Sequence, residues 1–159
     1  MWGVGVKMFK PMGITAMAVA GALGTAGAVV AVDRSAGPAD VVLPVAEDGH
    51  FWAQGSTDGG SVRLLVDTGA TRVSLTRQDA ERLGVSLADD AFTQRVLTPG
   101  GETPVAAVTL PWLAVGAARL ENVEAVVFQQ GLGHSLLGMS FLGRLEGYGV
   151  SAGSMRLHG

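Results

Sequence analysis

The chain has 159 residues, a formal net charge of −3 and no cysteine, so disulfides and thiolate metal sites are excluded. Its only lysines are Lys7 and Lys10; from residue 33 onward nine arginines stand against all fourteen acids, a formal charge of −5. That balance argues against a nucleic-acid partner, which needs a basic surface.

Residues 11–32 carry no charge and are mostly Ala, Gly, Val and Met, with Lys7 and Lys10 before them and Asp33 and Arg34 after. At about 1.5 Å per residue such a helix reaches roughly 30 Å, the thickness of a bilayer core. The lysines on its N-terminal side orient it with residues 33–159 outside the cytoplasm. Residues 1–32 therefore read as a single-pass anchor in the inner, cytoplasmic membrane. The following domain then lies on the periplasmic or extracytoplasmic side. A cleaved signal peptide is the alternative, since Ala26-Gly27-Ala28 fits an A-x-A cleavage site. The length of the apolar run favours the anchor.

Residues 33–40 form a linker of small residues, Pro and Gly. From residue 41 to 159 the pattern is that of one β-rich domain. Val41 to Ala46 and His50 to Gln54 flank Glu47-Asp48-Gly49, a hairpin signal. Ser56 to Gly60 is a second turn, and Ser61 to Asp67 a strand with a solid apolar end. Val73 to Leu75 is a short strand. Thr76 is placed to cap a helix over Arg77 to Leu83, which Gly84 stops.

Residues 85–93 read as irregular. Arg95 to Thr98 and Thr103 to Leu110 flank the glycine-rich tip Pro99-Gly100-Gly101. Trp112 to Val115, Ala118 to Leu120 and Val123 to Phe128 are further strands, and Gly131 to His134 is a loop. Ser135-Leu136-Leu137-Gly138 is a second apolar run ending in glycine. Met139 to Leu145 has helical spacing, and Ser154 to Leu157 is a closing strand. Many short strands with regular turns predict a small, mostly-β barrel or sandwich with one or two short helices. Trp112 and Phe128 are expected in the core. Trp52 is expected there too, or in a pocket wall.

The residue most able to carry chemistry is Asp67. Leu64-Leu65-Val66 delivers its carboxylate to a turn in which Gly69 permits backbone conformations closed to other residues. Asp-Thr-Gly by itself is an ordinary turn. Its context is not ordinary: an apolar strand leads in, small Ala70 follows, and a second apolar-apolar-Gly element, Leu136-Leu137-Gly138, comes about seventy residues later. The three histidines are scattered without ligand spacing, so no metal and no cofactor is expected.

Taken together, Asp67-Thr68-Gly69-Ala70, the hairpin at Thr98 to Glu102, and Leu136-Leu137-Gly138 resemble the retropepsin-like aspartic proteases. The phrases Gly49-His50-Phe51, Leu65 to Thr71, Ala80 to Gly84 and Ser135 to Leu142 are similar to the bacterial membrane-anchored, single-domain branch of that clan. The resemblance covers residues 41–158. It implies the acid-protease fold, a closed barrel of short strands, and an aspartic endopeptidase acting on polypeptides. It also implies a homodimer, because the chemistry needs two carboxylates and each copy offers one, Asp67.

Two carboxylates at hydrogen-bonding distance share one proton. One activates a water and the other protonates the carbonyl oxygen, with activity expected in the acidic range. By the same resemblance Thr68 and Gly69 support the carboxylates, with Ala70 beside them. Gly100 and Gly101 form a flap over the substrate, although an ordinary hairpin tip is the competing reading for that pair. Leu136-Leu137-Gly138 packs beneath the active-site turn. The alternative function is a non-catalytic dimeric peptide-binding or scaffold module, which would not need the Asp67 carboxylate.

Overall fold

The computed structural model describes residues 40–98 and 100–159. The expected anchor (1–32) and the linker up to residue 39 lie outside the described residues. Among the described residues no helix is long and apolar enough to cross a membrane.

In chain order the elements are β1 (Val41–Pro44), β2 (Trp52–Thr57), β3 (Gly60–Val66), β4 (Val73–Thr76), α1 (Arg77–Arg82), a 3-10 turn (Asp89–Ala91), β5 (Gln94–Thr98), β6 (Gly101–Val115), β7 (Ala118–Phe128), β8 (Leu136–Leu137), α2 (Met139–Leu142), β9 (Gly147–Ser151) and β10 (Ser154–His158). β1, β10 and β9 make one small antiparallel sheet in that order. The other seven strands run β2-β3-β8-β4-β7-β6-β5. A further pairing joins β2 to β6 through Gly55 and Ser56 opposite Val115 and Ala114, so the path of strand pairings returns to β2.

The local chemistry explains several boundaries. Thr76 Oγ1 accepts the Asp79 N–H at 3.1 Å and caps α1, while Gly84 ends the helix at φ +86°, where a side chain would be strained. Ala46 O accepts the Gly49 N–H at 2.9 Å with Gly49 at φ +80°, closing the expected turn. That turn does not join a regular hairpin. Beyond a single bridge between Val45 and Phe51, β1 leaves β2 and pairs with β10 instead.

Other expectations are corrected in the same way. The strands anticipated over Thr103 to Leu110 and Trp112 to Val115 are one strand, β6, and those over Ala118 to Phe128 are one strand, β7. The ladder passes from Leu110–Val123 to Trp112–Glu121 without a Pro111–Asn122 pair. Proline has no N–H to offer there, and Asn122 adopts φ +51°. β9 was not anticipated, and α2 ends at Leu142 rather than Leu145.

Leu64, Leu75, Leu110, Leu113, Leu137, Phe141 and Leu142 fill the main core. Each contributes about 1.5–3 kcal/mol by burial. A satellite cluster of Val105, Val126 and Phe128, joined by Val96 and Leu132, sits apart under the β5–β6 hairpin. Phe128 is thus a core aromatic, but Trp52 and Trp112 are only half-buried. Each indole N–H donates to a turn carboxylate at 2.9 Å, Trp52 to Asp48 and Trp112 to Asp58. Each ring is covered by a guanidinium, Arg63 at 4.1 Å and Arg119 at 3.9 Å. In β3 Val62 and Leu64 are buried and Ser61 and Arg63 exposed, and of its apolar end only Leu64 is fully buried, Leu65 and Val66 being half-buried.

Candidate active site

β3 ends at Val66 and hands the chain to a turn whose first residue is Asp67. Three neighbours fix this handover. Val66 N–H donates to Phe51 O at 2.9 Å, Asp67 N–H to Leu137 O at 3.1 Å, and Ala70 N–H back to Asp67 O at 3.3 Å. The parallel pairing of Leu65 with Leu136 and Val66 with Leu137 places β8 beside the strand end that carries the carboxylate. Asp67 Oδ1 accepts the Gly69 N–H at 2.8 Å, so one oxygen is oriented by the turn itself.

The far side of the turn is held by α2. Its first two N–H groups have no partner within the helix. They donate instead to the turn, Met139 to Ala70 O at 2.8 Å and Ser140 to Thr71 O at 3.0 Å. Gly138 makes this approach possible, since a Cβ there would stand 2.2 Å from Arg72 O and 2.7 Å from Ala70 O. Ser140 Oγ completes the clamp, donating to Glu124 O at 2.6 Å and accepting the Val73 N–H at 2.9 Å.

A cleft of about 780 Å³ opens beside this turn. Asp67, Gly69 and Ala70 line it, and Gly100 lines it from the β5–β6 hairpin. Among the described residues on its walls, Asp67 is the sole carboxylate. Thr68 and Gly101 are not on these walls. Thr68 is exposed, and its hydroxyl has no hydrogen-bond partner among the described residues. Gly101 takes φ +107° at the hairpin tip, and its carbonyl accepts from Thr98 Oγ1 at 2.8 Å.

The cleft also has walls that sequence reasoning missed. Val96, Leu97, Phe128 and Leu132 supply apolar surface, and Leu97 is 84% exposed. The signal was an apolar residue next to a glycine-rich tip, where a plain hairpin would carry polar ones. Among the described residues no three of His, Asp or Glu gather as a metal site.

The family pattern described as aspartyl protease matches residues 53–141. The chain is 37% identical over 132 residues to an uncharacterized protein in the cobV 5' region of Sinorhizobium sp, covering 82% of this chain and 57% of that one. It is 32% identical over 111 residues to an uncharacterized protein of Rickettsia prowazekii (strain Madrid E), covering 70% and 48%. The chain thus spans about half the length of these curated relatives. Among solved structures it is similar to a retropepsin-like aspartic protease from Rickettsia conorii, with a TM-score of 0.66 and 32% identity over 74% of this chain and 98% of that one. The mostly-β fold with two short helices is therefore retropepsin-like, the matched span contains Asp67-Thr68-Gly69, and the chain belongs to the aspartyl protease family.

Proposed function

We propose that the chain is an aspartic endopeptidase that works as a homodimer, each copy supplying one Asp67. The observation that carries this reading is the solitary carboxylate on the cleft wall, in a turn built around it. The exposed Thr68 hydroxyl, without a partner among the described residues, supports it, because a second copy of the turn would provide one. In the dimer the two carboxylates share a proton. One takes a proton from a water as that water attacks the peptide carbonyl, and the other donates to the carbonyl oxygen. The leaving amine is protonated as the carbon–nitrogen bond breaks.

Substrate binds as an extended strand beneath the β5–β6 hairpin, with Gly100 and Gly101 forming the tip that closes over it. Leu97, Phe128 and Leu132 favour apolar side chains near the scissile bond. The apolar stretch before residue 33 anchors the domain on the outer side of the inner membrane. Holding two half-sites on one membrane raises their effective concentration and favours a weak dimer.

The test is Asp67→Asn. Cleavage of an unfolded polypeptide at acidic pH is expected to vanish, with sedimentation and melting unchanged. Proteolysis that persists in this variant removes the enzyme assignment from this site. For the anchor, residues 33–159 alone should dimerise and cleave less well than the full chain; equal performance removes that role.

A further inference from the structure

A second cleft of about 620 Å³ lies on the other side of the Gly131–His134 loop, and Leu132 is a wall of both clefts. Trp52 is one of its walls. Arg63 lies over the indole at 4.1 Å, His134 meets the ring edge-on at 5.2 Å, and Asp48 accepts the indole N–H at 2.9 Å.

The hydrogen-bonding capacity of this cleft is lopsided. Each oxygen of its two carboxylates already accepts a hydrogen bond. Asp48 accepts the His50 N–H on one oxygen and the Trp52 N–H on the other. Asp79 accepts Arg82 on one and Ser135 on the other. Arg63 is the opposite case. Among the described residues no carboxylate lies within ion-pair distance of it, and it rests over the ring of Trp52. A guanidinium resting over an aromatic ring spends none of its N–H donors on a hydrogen-bond acceptor, and its fork matches a carboxylate. The stack also holds the side chain in place, which reduces the entropy lost when that fork is used.

We infer that Arg63, mounted on Trp52, is an outlying subsite for an acidic side chain of the substrate polypeptide. This rests on the endopeptidase reading above. Arg63 stands four residues before Asp67 on the same strand, roughly 13 Å at about 3.3 Å per residue. A peptide that leaves the Asp67 cleft past Leu132, the wall the two clefts share, and continues beside β3 covers that distance in about four residues. The subsite therefore senses Glu or Asp about four positions from the bond that is cut. It adds an unpaired cation to a cleft whose own wall arginine, Arg72, is already paired with Glu124.

The experiment begins with the full chain and an unfolded test polypeptide, whose cleavage sites are mapped by mass spectrometry. One cleaved sequence is then synthesised with Glu, Gln or Lys at the fourth residue on either side of the scissile bond. On one side, the wild type is expected to show a kcat/KM about fivefold higher for Glu than for Gln, the effect of a charge-assisted hydrogen bond discounted for an exposed site. Arg63→Gln should bring that ratio to about one, and Arg63→Glu should rank Lys above Glu. Equal cutting of the Glu and Gln peptides by the wild type overturns the subsite, as does a Glu preference that survives in Arg63→Gln.

A binding measurement separates this result from the fate of the peptidase. Asp67→Asn protein should bind the Glu peptide more tightly than the Gln peptide by fluorescence anisotropy, whether or not cleavage occurs. Asp67-dependent cleavage with no ranking by charge removes the subsite alone. Ranked binding with cleavage indifferent to Asp67 removes the catalytic assignment alone.

Discussion

The hydroxyl of Ser135 donates to Asp79 Oδ2 at 2.6 Å, joining the start of β8 to α1 across fifty-six residues of sequence. Ser135 is 1% exposed, and its Oγ also accepts the Thr76 N–H at 3.0 Å. Ser135→Ala removes both bonds and leaves the Thr76 N–H without that acceptor. A loss of about 1–3 kcal/mol is expected, read as a lower urea midpoint with an unchanged slope.

Gly138→Ala should be worse. The new methyl would meet the Arg72 and Ala70 carbonyls, which are backbone and cannot swing aside. A cost of about 3 kcal/mol, the upper end for overpacking, is expected. The turn carrying Asp67 would be displaced with it, so cleavage should fall more steeply than stability. Activity retained in a destabilised but folded variant would show that the turn tolerates the shift.

Thr68→Ala separates assembly from folding. The side chain is exposed and makes no hydrogen bond among the described residues, so subunit stability should change by less than about 0.5 kcal/mol. If Thr68 faces its counterpart in a dimer, sedimentation should show weaker association and activity should become more dependent on protein concentration. Association identical to wild type would place Thr68 away from the interface.

Asp48 gives a prediction in pH. The His50 backbone N–H, and after it the Trp52 indole, hold its carboxyl below the ordinary 3.8. Its folded pKa is thus lower than its unfolded one. The resulting stabilisation is fully present above pH 3.8 and is lost as pH falls through the folded value. Asp48→Asn should therefore melt below wild type at pH 7, with the gap closing as pH drops below 3.8. A gap independent of pH would mean the carboxylate charge contributes nothing.

The parts of this fold that were legible in the sequence are those decided within a few residues. Thr76 and Gly84 bracket α1 because a cap and a left-handed stop act locally. Asp67 stood out because an apolar run ended in a residue that rarely ends one. The partner of β1 could not be read, since nothing in Val41 to Pro44 distinguishes pairing with a strand eight residues on from pairing with one more than a hundred residues away. Pro111 and Asn122 looked like breaks because each breaks a strand alone; placed opposite each other, they share one skipped rung. Trp52 and Trp112 looked like core because their arginine covers are Arg63 and Arg119, which read by themselves as solvated charges.

The hydrogen bonds that tie the Asp67 turn to Leu137, Met139 and Ser140 have a consequence for biosynthesis. Everything that fixes the far side of that turn is translated about seventy residues after the aspartate itself. A nascent chain that has just exposed Asp67 has the carboxylate but not its mount. The half-site becomes rigid only when α2 has left the ribosome, by which point most of the domain is available to fold around it. On the proposed endopeptidase reading, each copy's share of the site is thereby completed only after most of its own domain has been made.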